Sequence, residues 1–376
     1  MKIFLVPNKK ANNQIMNTRV LVCISGGIDS SLSTLLLKEQ GYEVVAATFR
    51  VYDSIQESCM DKMKGCCSIE TIAEAKYFAE KQGIEHHILD YRNYFEKTVI
   101  QNFISEYMQG HTPNPCVLCN AHIKWGKVLE FADSINCQFI ATGHYARVID
   151  KNNRFALAKG RDEHKDQSYF LWMLTQQQLS RTIFPLGELT KDQVKQMALQ
   201  RGYVKLAKKR ESQEICFVPN NDYRDFLNHH AEQTKQEIRK GNFVTADGKI
   251  VGQHNGIAFY TIGQRKGLGV ALGEPYYIVE IRKETNEIVL GKYEQLETKS
   301  FNVGYLNMIS IPEFIDGMEV QVKVRYRTPA IKAKVFIVNE KTVRLEAIDK
   351  IYAVTPGQSA VFYNNDEVLA GGIIIQ

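Results

Sequence analysis

The sequence has no long apolar run and no strong excess of charge of one sign. A membrane-spanning helix needs about 20 predominantly apolar residues, and the longest apolar runs of this chain fall well short of that length. The net charge of +5 is mild, so it permits a nucleic-acid partner without indicating one. We therefore expect a soluble protein with no membrane partner, whose 376 residues form two or three domains.

The first residues of the sequence do not have the pattern expected of a secretory leader. One brief apolar patch at 3–6 is followed by Pro7 and by residues rich in Asn and Lys, whereas a signal peptide needs a longer apolar region and a small-residue cleavage site. We expect residues 1–17 to be a flexible tail and the protein to be cytoplasmic. In such a chain the eight cysteines do not predict a disulfide framework.

The motif SGGIDSS at 25–31 follows an apolar run at 20–24 and precedes an amphipathic one at 32–40. This order predicts a strand, a tight glycine loop and a helix. Gly26 and Gly27 let the backbone approach a ligand closely, and serine hydroxyls and helix amides offer donors to an anion. The loop lacks the lysine of the common P-loop and resembles the pyrophosphate loop of the ATP pyrophosphatases. A helix start with ordinary serine caps is the alternative.

The first half of the chain alternates between strand and helix patterns. Strands are predicted at 42–52, 85–90 and 137–142, and helices at 68–82, 93–108, 123–135, 169–179, 191–201 and 222–233. Thr190 and Gln193 predict a capping box for the helix at 191–201. The alternation predicts an α/β fold with a mostly parallel, doubly wound sheet, in which ligands bind beyond the carboxyl ends of the strands.

After about Lys240 glycines recur and short apolar runs alternate, which is typical of β structure. One small β unit is predicted from strands at 257–262, 276–281 and 287–290. A barrel-like unit is predicted from strands at 303–308, 318–326, 330–338, 342–347 and 359–363. We therefore divide the chain into the tail 1–17, a catalytic domain 18–220, a small β domain with a leading helix 221–295, and a C-terminal β-barrel 296–376.

The second motif with chemical potential is TPNPCVLCN at 112–120. Its two prolines are predicted to hold the backbone extended until after the cysteines, which places Cys119 near a helix start where the dipole favours the thiolate. The spacing fits half a zinc site, a redox pair or a nucleophile with a neighbour. No second C-x-x-C and no closely spaced His pair completes a structural zinc site.

The remaining cysteines differ in their surroundings. Cys216 lies in SQEICF at 212–217, after a basic stretch at 205–210 that suits a thiolate or phosphates, although a cysteine here also fits a buried strand. Cys23 and Cys137 lie in apolar runs and are expected in the core. Cys59, Cys66 and Cys67 lie in an irregular segment that fits a mobile loop or, alternatively, a metal role.

Eight motifs in order resemble the tRNA-uridine 2-sulfurtransferases, the MnmA/TrmU family, over nearly the whole chain. They are SGGIDSS, TPNPCVLCN with IKW, ATGHYA, KDQSYFLW, SQEICF, YTIGQRKGL, VRYR and TPGQSAVFY. The family makes 2-thiouridine at the wobble position of certain tRNAs, using ATP and a sulfur source. The resemblance implies a pyrophosphatase-type domain, a small central β domain and a C-terminal β-barrel.

The resemblance also assigns roles by position. Its ATP site falls on Cys23, Ile24, Ser25, Gly26, Gly27, Ile28, Asp29 and Ser30, with Phe49 near the adenine and Gly143 completing the pocket. The target base falls on Asn114, Pro115 and Cys116, the nucleophile on Cys119 and the persulfide on Cys216. Further tRNA contacts fall on His144, Lys165, Asp166, Gln167, Arg325, Tyr326 and Gln358. Cys116 replaces a familiar aspartate and Phe49 a frequent methionine.

The implied chemistry starts with ATP, which adenylates the 2-carbonyl oxygen of uridine and releases pyrophosphate with Mg²⁺ present. Asp29 is expected to hold Mg²⁺ or to orient the loop. A persulfide on Cys216 then delivers sulfur, and Cys119 either attacks the persulfide or resolves the adduct as a disulfide. The persulfide requires a cysteine desulfurase or a sulfur-relay protein as donor. Alternatively, Cys116, Cys119 and Cys216 hold a 4Fe–4S cluster.

Two other classes of protein stay open at this point. Another tRNA thiolase or an ATP-pyrophosphatase-type synthetase shares the glycine loop, and a non-enzymatic RNA-binding protein uses basic strands without it. One basic strand is predicted at 321–327, where Lys323, Arg325 and Arg327 alternate with apolar residues and present three cations on one face. These cations fit contacts with RNA phosphates or, alternatively, a solvated face of the barrel.

Overall fold

A computed structural model describes residues 18–52, 69–151, 153–209, 215–218 and 222–375. The tail 1–17 and the cysteines at 59, 66 and 67 lie outside these ranges. The described residues form two compact units. The first lies within Met1–Thr98, Cys116–Phe217 and Asp366–Leu369, and the second within Val99–Pro115, Val218–Asn365 and Ala370–Gln376. None of the helices in the described ranges has the length and apolar content required to cross a membrane.

The first unit contains seven complete strands among its described residues. They are β1 (Arg19–Cys23), β2 (Glu43–Arg50), β3 (His86–Asp90), β4 (Phe139–Ala141), β5 (Ala146–Asp150), β6 (Phe155–Lys159) and β7 (Thr182–Ile183). Its helices are α1 (Ile28–Glu39), α2 (Ile69–Lys81), α3 (Arg92–Phe95), α5 (Pro115–Leu118), α6 (Val128–Ser134), α7 (Gln176–Ser180), α8 (Lys191–Gln200) and α9 (Val204–Lys208). Helix α4 (Gln101–Met108) belongs to the second unit. π-helical turns at Glu96–Ile100 and Cys119–Lys127 continue α3 and α5.

The sheet of the first unit has the strand order β3-β2-β1-β4-β7, and every pair is parallel. The chain builds outward from β1 to β2 and β3 on one side, and returns to β4 and β7 on the other. The loop after β1 therefore lies where the strand order reverses, which is the usual ligand position in such sheets. The predicted doubly wound parallel sheet is confirmed.

Apolar side chains pack against this sheet and between the helices beside it. Val20 and Val22 of β1 are fully buried with Ala75 and Ala79 of α2. A second cluster joins Leu32 of α1 to Val194 and Ala198 of α8. Since β1 is buried on both sides, it has the continuous apolar sequence of a central parallel strand, and its carboxyl end is fixed in position.

The second unit contains α4, α10 (Tyr223–Thr234) and two β structures. Strands β8 (Gly241–Thr245), β9 (Ile250–His254), β10 (Tyr277–Arg282) and β11 (Glu287–Gly291) form a sheet in the order β10-β11-β8-β9. Strands β12 (Glu297–Met308), β13 (Met318–Lys323), β14 (Ile331–Asn339), β15 (Thr342–Tyr352), β16 (Ser359–Asn364) and β17 (Glu367–Ile375) form a barrel, which the pairing of β12 with β17 closes. The predicted C-terminal barrel is confirmed.

Several predicted elements have other boundaries in the structure. The helix expected at 169–179 is a 3₁₀ turn at Ser168–Phe170 followed by α7, because Thr175 starts a new helix with its own capping box. The strand expected at 257–262 is a 3₁₀ turn at Ile257–Phe259 between glycines with positive φ. The hairpin β5–β6, which pairs with Glu367 and Val368, had no clear sequence signal.

Candidate functional site

The SGGIDSS segment forms a glycine turn that leads from β1 into α1. Gly26 has a φ of +67°, and Gly27 occupies the N-cap position of α1, where no described side chain caps the helix. Ser30 Oγ instead accepts a hydrogen bond from Ser25 N at 3.1 Å and donates one to Gly27 O at 3.2 Å. The first amides of α1 thus point outward with a positive dipole end, as an anion such as pyrophosphate requires.

The glycines at 26, 27 and 143 differ in whether the surrounding structure leaves room for a side chain. A Cβ on Gly26 would lie 2.8 Å from Thr71 O, and a Cβ on Gly143 would lie 2.8 Å from the carbonyl carbon of Asp29. Both positions therefore need glycine for the fold itself. A Cβ on Gly27 would meet, among the described residues, only Ser25 Oγ at 3.7 Å. Among the described residues nothing would obstruct a Cβ on Gly27, so the absence of a side chain there leaves room for a ligand to approach the backbone.

Two lysines from distant parts of the chain contact this loop. Lys191 Nζ lies 2.8 Å from both carboxylate oxygens of Asp29, and Tyr145 donates to Asp29 Oδ1 at 2.8 Å. Lys209 Nζ donates to Gly26 O at 3.1 Å and pairs with Glu74. A cavity of about 430 Å³ beside Lys209 is lined by Glu74, Lys205, Leu206, Lys208 and Lys209. The Lys191 contact has no local sign in the sequence, whereas Lys209 belongs to the basic stretch at 205–210 that is expected to suit a thiolate or phosphates.

Three other predicted ATP-site residues lie around β1. Burial raises the pKa of the Cys23 thiol to about 12, so this cysteine is a neutral core residue whose backbone leads into the loop. Ile24 is buried, and its carbonyl accepts a hydrogen bond from Thr48 at 2.9 Å. Phe49 lies near the carboxyl end of the neighbouring strand β2 and is half-buried.

His144 lies in a buried pocket rather than on the surface. Burial, followed by the charge of Lys124, holds the pKa of its imidazole well below the usual range. The neutral ring accepts from Lys124 Nζ at 3.3 Å, which assigns its proton to Nδ1, 2.6 Å from Thr142 Oγ1. Because a π-helix bonds residues five apart, Lys124 lies one turn beyond Cys119. Lys124 is thus a cation near the predicted nucleophile that sequence reasoning missed.

The KDQS motif supports the segment that carries His144. Asp166 is buried and accepts hydrogen bonds from Gly160 N, Ser168 N and Ser168 Oγ at 2.9–3.1 Å. Gln167 Oε1 accepts from Tyr145 N at 3.0 Å. Of the three predicted tRNA contacts in this motif, Asp166 is buried, and the other two, Lys165 and Gln167, are half-buried.

Cys116 and Cys119 lie on a helix that starts earlier than expected. The prediction that the prolines delay the helix until after the cysteines is wrong, since α5 begins at Pro115. Proline is tolerated at the first helical position because its missing N–H is not needed there. Asn120 is buried and donates to Phe170 O at 2.9 Å, which fixes the helix. Cys116 is exposed and Cys119 is half-buried.

Cys216 is exposed on the first unit, and its neighbour anchors it. The Phe217 ring is buried and packs edge-on against Phe95 at 5.6 Å and against Tyr52 at 6.3 Å between centroids. The alternative that Cys216 is a buried strand residue is therefore excluded. No disulfide joins any of the five cysteines in the described ranges.

A metal centre has no preformed ligand set in the described ranges. No group of three or more His, Cys, Asp or Glu side chains there is placed to hold a metal ion. The thiols of Cys116, Cys119 and Cys216 thus do not form a cluster-binding triad in this conformation. The meeting of these three cysteines at one site stays a prediction.

In the second unit, hydrogen bonds join three of the sequence motifs. Gln358 Nε2 donates to Thr112 O at 2.8 Å and to Pro113 O at 3.2 Å. Thr112 Oγ1 also contacts Thr261 Oγ1 at 3.2 Å. Gln358 therefore holds the backbone that leads to Asn114 and Pro115, the positions predicted to contact the target base.

The predicted basic strand at 321–327 is wrong in its second half. Strand β13 ends at Lys323, and Arg325 lies in the following turn. Its Nη2 donates to Ile262 O at 2.8 Å, Ala353 O at 3.1 Å and Thr355 Oγ1 at 2.6 Å. Val322 and Val324 are buried, Tyr326 is half-buried and Arg327 is exposed. The three cations do not share one strand face.

Arg325→Met should consequently destabilise the second unit. The change removes the Arg325 donor from the Ile262 carbonyl and the Thr355 hydroxyl, while the Ala353 carbonyl keeps the Thr355 hydroxyl as a donor. The loss costs about 1–3 kcal/mol for each group left unsatisfied. We expect a lower thermal unfolding temperature, measured by calorimetry, whereas the exposed Arg327→Met should unfold like the unchanged protein. A loss of tRNA affinity in Arg325→Met without any loss of stability would instead make Arg325 a direct contact.

Comparison with known proteins matches the chain in three consecutive parts. The family model described as tRNA methyl transferase HUP domain matches residues 18–220, the tRNA methyl transferase PRC-barrel domain matches 224–292, and the Aminomethyltransferase beta-barrel domain matches 298–374. A protein of Cytophaga hutchinsonii named tRNA-specific 2-thiouridylase MnmA is 48% identical over 95% of this chain and 97% of its own. Relatives of the same name from Amoebophilus asiaticus and Carboxydothermus hydrogenoformans are 46% and 45% identical over 95% of this chain, and over 95% and 97% of their own.

Proposed function

The chain belongs to the family of the tRNA-specific 2-thiouridylases, and we propose that it replaces oxygen by sulfur at carbon 2 of the wobble uridine of tRNA at the expense of ATP. The observation that carries the proposal is the uncapped start of α1 after β1, at the point where the strand order of the sheet reverses. In this family context, that turn is the site where pyrophosphate is bound and released. A cytoplasmic location follows from the tRNA substrate.

The first step is adenylation of the uridine. The carbonyl oxygen at carbon 2 attacks the α-phosphorus of ATP, the bond from that phosphorus to the bridging oxygen breaks, and pyrophosphate leaves. The amides of Gly27, Ile28 and Asp29 lie at the helix start, where they stabilise the charge that develops on the departing pyrophosphate. Adenylation turns a poor leaving oxygen into part of AMP, which departs readily.

The second step transfers sulfur from a persulfide on Cys216. The outer sulfur attacks carbon 2, and the bond from carbon 2 to the AMP oxygen breaks. The thiolate of Cys119 then attacks the inner sulfur, which forms a Cys119–Cys216 disulfide and leaves the thiocarbonyl on the base. A dithiol reductant restores both thiols. In the alternative order, Cys119 attacks the persulfide first and releases sulfide, which then attacks carbon 2.

Metal chemistry enters this proposal only through the nucleotide. Mg²⁺ usually keeps several waters and is held by one or two carboxylates with substrate phosphates. The Asp29 carboxylate is already engaged by Lys191 and Tyr145, so the nucleotide itself supplies most Mg²⁺ ligands and Asp29 orients the loop. No group of three or more ligand side chains in the described ranges is placed to hold a metal ion, and the proposed sulfur transfer uses the thiols of Cys119 and Cys216.

The tRNA is proposed to contact both units. Asn114, Pro115 and Cys116 are assigned to the target base, and the partly exposed Lys165 and Tyr326 to the surrounding RNA. Gln358, Arg325, Asp166 and Gln167 support these segments through backbone hydrogen bonds, and His144 holds Lys124. The partner that loads Cys216 is a cysteine desulfurase or a sulfur-relay protein. We propose that the protein functions with three domains, at 18–220, 221–295 and 296–376.

Nucleoside mass spectrometry tests the function directly. Purified protein, ATP, unmodified tRNA and a cysteine desulfurase with cysteine should yield 2-thiouridine and AMP, and omission of ATP should abolish the product. The same digest distinguishes sulfur replacement from methylation of a base. Appearance of a methylated nucleoside, or no thiolated one while the desulfurase loads Cys216, would contradict the proposal.

A further inference from the structure

Lys191 is buried, although packing alone does not require a lysine at its position. Its residue is 5% exposed, and its ammonium is equidistant, at 2.8 Å, from both oxygens of the Asp29 carboxylate. The Lys191 side chain is buried while that of Asp29 keeps 31% of its surface exposed, and removing the ammonium from water costs free energy that an apolar side chain would not. The ion pair is therefore better explained by what it orients than by stability.

The start of α8 delivers this lysine accurately. Thr190 and Gln193 form a capping box that fixes the first turn, as predicted from the sequence. The backbone N–H of Lys191 also donates to Asp162 Oδ2 at 2.9 Å. A cation at a helix N-terminus opposes the helix dipole, so the first position of α8 disfavours lysine. Its partner lies 162 residues earlier in the chain.

Asp29 lies in the first turn of α1, and the amides of that turn line the proposed phosphate site. The Tyr145 hydroxyl donates to the oxygen Oδ1 that also takes Lys191. Gly143 lies so close to the Asp29 backbone that a Cβ there would be 2.8 Å away. Contacts of both its side chain and its backbone thus hold Asp29 in place. Because Asp29 is part of the loop, these contacts also fix the orientation of the loop amides.

We propose that Lys191 is a positioning residue for ATP, which acts through Asp29 and Tyr145 to hold the loop amides in the phosphate-binding orientation. The inference rests on the proposed use of ATP by this loop. The SGGIDSS loop lacks the lysine of the common P-loop, and Lys191 supplies a lysine from another part of the chain. This lysine orients Asp29 and does not bind the phosphates itself. We call the contacts of Lys191 and Tyr145 with Asp29 the clamp. Asp29 then serves orientation rather than Mg²⁺ binding.

The clamp predicts a specific pattern of variants. Lys191→Met should weaken binding of an α,β-methylene analogue of ATP by on the order of tenfold or more, as truncation of one member of a buried charge pair does, without changing tRNA affinity. Lys195→Met, on the same helix, is the matched control and should bind the analogue normally. Tyr145→Phe removes one hydrogen bond and should weaken binding in the same direction but less.

A double-mutant cycle separates the clamp from its alternatives. Lys191→Met and Asp29→Asn should combine to no more than the larger single effect, because both remove one interaction, and the Mg²⁺ concentration at half-maximal activity should stay unchanged in Asp29→Asn. Normal analogue binding by a folded Lys191→Met would overturn the inference. So would a raised Mg²⁺ requirement in Asp29→Asn alone. If Lys191→Met fails to fold, Tyr145→Phe decides, since normal analogue binding by that variant would equally overturn the clamp. Failure of the unchanged protein to bind the analogue would instead contradict the proposed use of ATP.

Discussion

Cys216→Ser should abolish the formation of 2-thiouridine while tRNA-dependent pyrophosphate release continues. A serine oxygen cannot carry a persulfide, so sulfur delivery stops, whereas adenylation depends on the loop after β1. We expect a loss of at least about a thousandfold in thiolation, the scale seen when a nucleophile is removed. Thiolated nucleosides measured by mass spectrometry and pyrophosphate measured by a coupled assay report the two steps separately.

Cys119→Ser should lose thiolation to a similar extent for a different reason. The persulfide should still load on Cys216, and intact-protein mass spectrometry should detect the added sulfur. Cys116→Ser, on the same helix, keeps a small polar side chain at a position assigned to the target base, and it should retain most of the thiolation because the persulfide route does not use the thiol of Cys116. If Cys116→Ser loses both activity and bound iron after anaerobic reconstitution, the persulfide route is wrong and a cluster carries the sulfur.

Gly27→Val should abolish tRNA-dependent pyrophosphate release yet leave the fold intact. The φ of Gly27 is −96°, which any residue adopts, and a Cβ would have only Ser25 Oγ within 4 Å among the described residues. The new side chain would instead stand over the helix amides where pyrophosphate binds. Loss of such donors costs about 10²–10³ in rate, so pyrophosphate release should fall at least that much.

Gly26→Ala gives the contrasting result at the neighbouring position. Gly26 has a φ of +67°, and its Cβ would lie 2.8 Å from Thr71 O, so alanine should lower the thermal unfolding temperature. Gly27→Val should unfold near the temperature of the unchanged protein and bind tRNA normally. Full pyrophosphate release by a folded Gly27→Val would mean that the phosphates bind elsewhere.

The parts of the site that local patterns encode were predictable from the sequence. The order of strand, glycine loop and helix around Gly26 and Gly27 depends on neighbouring residues, and the capping box at Thr190 depends on one residue three positions later. The predicted family is likewise carried by short motifs. Periodicity and turn chemistry suffice for these features because each is decided within a few residues.

The contacts that tie the site together were not predictable in this way. The pairing of Lys191 with Asp29 and the pairing of Gln358 with Thr112 span 162 and 246 residues. A lysine at a helix start and a glutamine in a loop carry no local signal of their partners. The helix beginning at Pro115 was missed for a different reason, since proline both breaks helices and starts them. Lys124 became conspicuous only through its distance to His144.

Transfer of an oxygen label from uridine to AMP tests the adenylation step most directly. A tRNA transcript whose wobble uridine carries heavy oxygen at carbon 2 is converted in ordinary water, and the AMP is analysed by mass spectrometry. Attack of that oxygen on the α-phosphorus predicts one heavy oxygen in each AMP formed, in a one-to-one ratio with 2-thiouridine. Unlabelled AMP, or a label found in pyrophosphate or inorganic phosphate, would contradict adenylation of the uridine.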